Sequence, residues 1–252
     1  MATNVVAVIP ARLNSKRFSG KVIYPYRGKP LLYYVWDAAL RARQIDQLII
    51  ATDNRKVADA AEEFGAEVVM TSSKPRTGSD RVAEVARKVP ARIYVNIQAD
   101  NFGLDASVLD RAINSIKKSP KTRFATLARE IDRDKDLFDP GIVKLVMNRE
   151  QQALWFSRYP LPYLQHATSR SRCKQFSYFE HIGVYFYRAS ALADYAHWKR
   201  SALEEAESLE QLRILENGGS IRVYTTKARS VSVDRPDDLK KLDRIYMGKK
   251  HV

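Results

Sequence analysis

Apolar residues in the first half of the chain fall into short unbroken runs, and stretches with helical spacing separate them. Val5–Ile9 is a continuous apolar run suited to a strand buried on both faces. The stretch Pro30–Arg43 (PLLYYVWDAALRAR) spaces its apolar residues with a helical period. Gln47–Ala51 reads as a second strand, followed by Thr52-Asp53-Asn54 as a turn and helix N-cap. A helix over Val57–Phe64, a strand over Glu67–Met70, a helix after Gly78 (SDRVAEVARKV) and a strand over Arg92–Ile97 complete the series. Alternation at this spacing predicts an α/β fold with a mostly parallel central sheet and helices on both faces. Ligands of such sheets bind outside the carboxyl ends of the strands.

Past residue 120 the strands crowd together: Arg123–Arg129, Val143–Met147, Ala153–Arg158 and His181–Arg188. Helices are expected over Ala189–Trp198 and Ala202–Asn217, then a strand over Ile221–Thr226 and a helix from Pro236. The polar, basic stretch Ser169–Lys174 (SRSRCK) reads as a mobile loop. With no internal repeat and no low-complexity stretch, the expectation is one domain over residues 1–252, with a β-rich insertion at about 130–190.

Composition narrows the function classes. An apolar share of 45%, with 13 Tyr and 9 Phe, is ample for a packed core. The apolar run at the start is far too short to span a bilayer, and no secretory-signal pattern is evident. Cys173, the single cysteine, excludes an internal disulfide and a cysteine-based zinc cluster, and suits a reducing compartment. The expected setting is therefore cytoplasmic, without a membrane partner. The 43 basic residues exceed the 29 acidic ones, for a net charge of +14. They are spread along the chain and accompany no nucleic-acid motif, so the charge is read as a basic surface plus anion pockets, with no nucleic-acid partner.

The densest cationic stretch directly follows the first strand. PARLNSKRFSGK carries Arg12, Lys16, Arg17 and Lys21, and no acidic residue precedes Asp37. Cations converging on a small volume repel one another unless an anion joins them, which points to a phosphate site. It is not a Walker loop, because Ser15 stands where the first glycine is required and Val22 replaces the final Ser/Thr. G-x-G-x-x-G is absent, and His166, His181, His197 and His251 form no zinc pattern. Two aspartates supply the other half of a site. Asp100 in VNIQADN lies just past the fourth strand, and Asp234 in SVSVDRPDDL ends a strand-like run, where a helix N-cap is the structural alternative. Hard carboxylates facing a cationic loop make an octahedral magnesium site plausible, completed by phosphate oxygens and water.

Together these residues carry a family pattern. The segments PARLNSKRFSGK, TGSDR, NIQADN, VKLVMN, ALWFSRYPLPY, HIGVYFYR, LEQLRILENG and VDRPDDL stand in the order and at about the spacing of the CMP-Kdo synthetases. The chain resembles these 3-deoxy-manno-octulosonate cytidylyltransferases from about residue 5 to about residue 245. ALWFSR, HIGVY and LEQLR are the narrower motifs; the Gly-Lys-Pro type is shared by many nucleotidyltransferases.

The resemblance implies a nucleotide-sugar pyrophosphorylase-like fold and a magnesium-dependent reaction in lipopolysaccharide biosynthesis. In it, CTP and an acidic eight-carbon sugar give CMP-sugar and pyrophosphate. It implies that Arg12, Arg17 and Lys21 hold the triphosphate, with Asp100 and Asp234 as Mg2+ ligands. Ala11, Gly78, Ser79, Asp80, Arg81 and Gln98 would line the nucleotide, Gln98 also meeting the sugar. Arg158, His181, Tyr185, Glu210 and Gln211 would form the sugar pocket. Taken singly, Arg158 reads equally as a strand-edge cap, His181 as a core histidine, and Glu210 and Gln211 as a solvated helix face. A homodimer formed through the β-rich insertion is also implied.

The chain departs from the family at the Asp100 turn. The family reads Gln-Gly-Asp-Glu-Pro where this chain has Gln98-Ala99-Asp100-Asn101-Phe102. Asn101 removes a negative charge, and Phe102 lifts the proline constraint on the turn. Ser19 replaces the usual proline before Gly20. The alternative reading is accordingly a non-catalytic or altered-specificity nucleotide-binding paralogue.

Overall fold

The structure, a computed structural model, describes residues 3–14, 18–168, 171–233 and 235–246. Arg17 and Asp234, two expected site residues, lie outside the described residues, as do Lys16, Ser169, Arg170 and the basic end of the chain. The chain forms two compact units, Met1–Lys117 with Ala228–Val252, and Lys118–Lys227.

In the first unit the predicted alternation folds as a parallel sheet. Strand Thr3–Pro10 lies between Ala91–Ile97 and Gln47–Thr52, and Glu67–Met70 joins the far side of Gln47–Thr52. Val5 to Ile9 are wholly buried, as a strand covered on both faces requires. Helix Leu31–Leu40 ends at Arg41, short of the predicted Arg43. Asn54 caps helix Arg55–Glu62 by accepting the Lys56 N–H, as the Thr52-Asp53-Asn54 turn predicts. Helix Gly78–Ala86 starts from a reciprocal cap between Thr77 and Asp80.

A helix over Ala106–Lys118, to which the sequence reading assigns no element, buries Val108, Leu109, Ala112, Ile113 and Ile116. Their spacing follows one helical face. Short strand Asn101–Phe102 pairs antiparallel with Val231–Ser232, a clasp two residues long on each side. The helix expected from Pro236 begins as a 3-10 turn over Pro236–Asp238, capped at Arg235, and continues as Leu239–Tyr246.

The second unit is mainly antiparallel. Strand Phe124–Glu130 runs between Phe179–Arg188, antiparallel, and Ile221–Thr226, parallel. Lys144–Met147 pairs with both Phe179–Arg188 and Ala153–Ser157.

The single helix expected over Ala202–Asn217 is instead two, Ala202–Glu207 and Leu212–Glu216. Ser208 turns into the left-handed region at φ 53°, which ends the first helix. The buried pair Arg213–Glu204 then ties the second helix back onto the first, at 2.6 and 2.7 Å.

The stretch read as a mobile loop holds a 3-10 turn over Arg172–Lys174. Asp134 pins it by accepting from Ser171 Oγ and from the Arg172 and Cys173 N–H groups. Those bonds hold the Asp134 carboxyl well below the usual range, and burial pushes the Cys173 thiol up to about 12. The cysteine is therefore an inert thiol at neutral pH. Among the described residues, no helix is long and apolar enough to cross a membrane.

Candidate active site

The first strand delivers its cationic loop at the carboxyl end of the parallel sheet. Ala11, fully buried, continues the pairing by donating its N–H to the Ala51 carbonyl at 2.8 Å. Arg12 then reaches sideways. Its guanidinium donates to the Pro75 carbonyl at 2.5 Å and to the Thr77 carbonyl at 3.3 Å, tying the loop to the start of the Gly78 helix.

Gly78 has to be small. A Cβ there would sit 2.6 Å from Gln98 Nε2 and 3.2 Å from both Asn96 Nδ2 and Pro10 Cγ. Ser79 is fully buried and accepts from Asn96 Nδ2 at 3.2 Å. Asp80 spends one carboxylate oxygen on the Thr77 N–H of the helix cap. Ala11, Arg12, Gly78, Ser79, Asp80 and Gln98 thus belong to one neighbourhood, formed where two adjacent parallel strands end.

Arg81 opens onto no surface. Its side chain is 1% exposed, bonded to the Thr71 hydroxyl and 3.3 Å from Asp53. Burial pushes its pKa down from the ordinary arginine value, with Asp53 opposing the shift.

A second point of the same unit gathers Lys21 and Asp100. Gly20, at φ 70°, turns the chain into a 3-10 turn over Lys21–Ile23 and so carries Lys21 inward. The buried Lys21 ammonium donates to Asp100 Oδ2 at 3.0 Å and to the Val233 carbonyl at 2.7 Å. One cation thereby joins the loop after the first strand, the turn after the fourth, and the segment following the Val231–Ser232 clasp.

Asp100 keeps a third of its side-chain surface open to solvent. Asn101 and Phe102, the departures from the family pattern, are both buried in the clasp beside it. The Asn101 Nδ2 group finds no hydrogen-bond partner among the described residues. Among the described residues no group of three or more His, Cys, Asp or Glu side chains could hold a metal ion.

Apart from Gln98, the expected sugar residues fall in the second unit: His181 and Tyr185 on strand Phe179–Arg188, Arg158 just after strand Ala153–Ser157, and Glu210 and Gln211 in the turn between helices Ala202–Glu207 and Leu212–Glu216. Arg158 donates through Nε to the Glu207 carbonyl at 2.9 Å and through NH1 to the Pro140 carbonyl at 3.0 Å. Glu207 in turn accepts the Arg158 N–H at 3.0 Å and the Ser157 hydroxyl at 2.6 Å.

His181 Nε2 lies 2.9 Å from Thr126 Oγ1, and that hydroxyl donates its only proton to the Val184 carbonyl at 2.8 Å. Nε2 must therefore be the protonated nitrogen, which leaves Nδ1 as an acceptor. The ring packs against Phe156 and Tyr185, each with centroids 5.2 Å away. Although part of the residue meets the surface, enclosure by protein pushes its pKa down to about 3. It is a neutral imidazole at any physiological pH.

Tyr185 donates its hydroxyl to Gln211 Oε1 at 3.1 Å. Gln211 is almost wholly buried, and its Nε2 has no partner among the described residues. Glu210 is half-buried beside it, and its carbonyl accepts from Tyr195 at 3.3 Å. His181, Tyr185 and Gln211 are thus linked by direct contacts. Arg158 stands on its own anchors, Glu207 and Pro140.

Sequence reasoning did not single out Thr126, Glu207 or Lys144. Lys144 stands in the VKLVMN segment, and its fully buried ammonium donates to the Asp139 carbonyl at 2.9 Å and the Ile142 carbonyl at 2.6 Å. A lysine inside a short apolar strand is the signal that could have marked it.

Comparison with known proteins identifies the family. Residues 6–225 match the family described as Cytidylyltransferase. The 3-deoxy-manno-octulosonate cytidylyltransferase of Geobacter sulfurreducens is 40% identical over 244 residues, covering 95% of this chain and 98% of that protein. A solved structure of CMP:2-keto-3-deoxy-manno-octonic acid synthetase complexed with CTP superposes with a TM-score of 0.88. It shares 34% identity and is covered over 99% of its length, against 98% of this chain. The inositol-1-phosphate CTP transferase of T. maritima, at 14% identity and a TM-score of 0.66, shares the fold. On this agreement of sequence, structure and motif order, the chain belongs to the 3-deoxy-manno-octulosonate cytidylyltransferase family of nucleotidyltransferases.

Proposed function

We propose that this enzyme transfers CMP from CTP to 3-deoxy-manno-octulosonate (Kdo) or a close acidic relative, releasing pyrophosphate and supplying activated sugar for lipopolysaccharide. The observation that carries the reading is the buried Lys21 ammonium, held by Asp100 and the Val233 carbonyl at the ligand end of a parallel sheet. A cation fixed there stabilises the charge that builds on the α-phosphate and the leaving pyrophosphate, without reorganising during the step. Arg12 and Arg17 share the neutralisation of the triphosphate. The crowded backbone at Gly78, with Ala11, Ser79, Asp80 and Gln98, reads the cytosine edge through hydrogen bonds. Arg81 acts from behind, since its bonds to Thr71 and Asp53 fix the start of the helix that carries Ser79 and Asp80.

Asp100 and Asp234 would hold magnesium, and the bound ion would supply further charge neutralisation at the phosphate oxygens. Asp100 fits that role as a hard, partly open oxygen donor. An octahedral ion shared with phosphates and water needs only one or two protein carboxylates.

In the second unit Arg158 meets the sugar carboxylate. Its guanidinium is bonded to two main-chain carbonyls, and no carboxylate among the described residues forms an ion pair with it. The His181 Nδ1 lone pair and the Gln211 Nε2, which has no partner among the described residues, suit sugar hydroxyls, because buried polar groups without partners favour a ligand that supplies them. We place Glu210, beside Gln211 in the same turn, at the same sugar. The sugar's anomeric hydroxyl then attacks the α-phosphorus.

The exposed Leu154, Tyr159 and Tyr163 in the β-rich segment support a homodimer. We place the enzyme in the cytoplasm, where CTP is made.

Incubation with CTP, magnesium and Kdo is expected to release pyrophosphate in step with CMP-sugar formation. No product with Kdo, its 8-amino analogue or another ulosonic acid would remove the assignment. CTP binding without turnover would favour the non-catalytic paralogue, which the unpartnered Asn101 amide supports.

A further inference from the structure

Lys144 is a cation in the wrong solvent. Its residue is wholly buried, and among the described residues no carboxylate lies within ion-pair distance of its ammonium. Burying a charge without a counterion is costly, so a structural role alone would favour an uncharged donor.

Its register shows what the charge is near. Lys144 pairs with Ser157 on one side and with Glu180 on the other. Each of these residues immediately precedes an expected sugar contact, Arg158 and His181 respectively. The neighbouring Val143 carbonyl also accepts the His181 N–H at 2.8 Å. The Lys144 ammonium bonds the carbonyls of Asp139 and Ile142, and the Arg158 guanidinium bonds the carbonyl of Pro140 in the same turn. Two cations thus grip one four-residue turn.

We propose that Lys144 is a positioning and specificity-determining residue for the acidic sugar: it clamps the Asp139–Ile142 turn on which Arg158 leans and adds positive potential behind the guanidinium. This rests on Arg158 being the carboxylate contact. A neutral sugar of the same shape gains nothing from the buried charge, whereas a sugar acid offsets its cost. Selection for the carboxylate is therefore built into the strand beneath the contact residue.

Burial lowers the Lys144 pKa to about 8. Asp139 opposes that shift, Arg158 adds to it and Glu207 opposes it. An anion arriving at Arg158 favours the protonated lysine, so by linkage the affinity for the sugar acid falls as pH rises past about 8. The sugar carboxylate keeps its charge through this range.

The test is steady-state kinetics from pH 7 to 9.5, with Kdo and CTP varied in turn. The wild-type enzyme is expected to show kcat/KM for Kdo bending downward near pH 8, with KM for CTP flat. Lys144→Met should raise KM for Kdo about tenfold at pH 7, leave kcat within about twofold, and lose the bend. Lys144→Arg should retain affinity and stay flat to pH 9.5. A straight wild-type profile overturns the proposal even if Lys144→Met fails to fold, and so does a Lys144→Met enzyme with unchanged KM for Kdo. Arg158→Ala separates the two readings. If it leaves KM for Kdo unchanged, the carboxylate assignment itself fails; if it raises KM while Lys144→Met does not, this inference alone fails.

Discussion

In the unit built on the parallel sheet, the expected ligand residues stand on loops and turns that leave strand ends and on the first turn of helix Gly78–Ala86. In the unit Lys118–Lys227, His181 and Tyr185 stand on a strand, Arg158 directly follows one, and Glu210 and Gln211 lie in the turn between two short helices. On the proposed assignment, the difference follows from the chemistry each would do. A triphosphate carries dense charge, and the first unit offers cations tied to carbonyls and to carboxylate, as at Lys21. A sugar acid presents one carboxylate and many hydroxyls. As the proposed sugar site, the second unit offers a neutral histidine of fixed tautomer, an amide without a partner among the described residues and one guanidinium. The loops of the first unit are suited to wrapping phosphates, and the rigid frame of the second to telling one sugar from another.

The frame of the second unit depends on buried charge, and that is where it breaks most readily. Glu204→Ala would leave Arg213 buried beneath Tyr195 without its carboxylate, at a cost of about 3–5 kcal/mol. Thermal unfolding should show that loss. KM for Kdo should rise in the surviving folded fraction, because Glu210 and Gln211 lie on the turn this pair closes.

A smaller effect sharpens the same contrast. His181 has its folded pKa depressed from 6.5 to about 3, so it takes up no proton until the medium is strongly acid. Its contribution to stability is complete above pH 6.5 and is lost as pH falls toward 3, because the unfolded chain protonates first. Activity between pH 6.5 and 8 should therefore show no inflection from this residue. 15N NMR should find Nε2 protonated and Nδ1 bare; an imidazolium signal at pH 6 would refute the tautomer argument.

Much of the fold was legible because apolar runs and helical periods report burial directly. Val5–Ile9 and Gln47–Ala51 became strands as expected, and they pair side by side. The helix over Ala106–Lys118 carried the same kind of signal, in Val108, Leu109, Ala112, Ile113 and Ile116, yet was not assigned. Other features had no such signal. The Asn101–Phe102 clasp is too short to show a period. The break at Ser208 uses neither glycine nor proline, and only the pairing of Glu204 with Arg213 across it explains why the helix divides. Motif resemblance named the candidate site residues, but it could not tell that Arg81 would be buried or that a buried Lys144 would share the Asp139–Ile142 turn with Arg158. Both depend on contacts between segments distant in the chain.

The most direct test of the division of labour compares Lys21→Ala with Arg158→Ala, with kcat and both KM values measured for each. Losing the fixed cation at the triphosphate should lower kcat on the order of 10²-fold or more while KM for Kdo stays within about twofold. Losing Arg158 should act mainly on KM for Kdo. A Lys21→Ala enzyme that turns over at the wild-type rate would contradict the account.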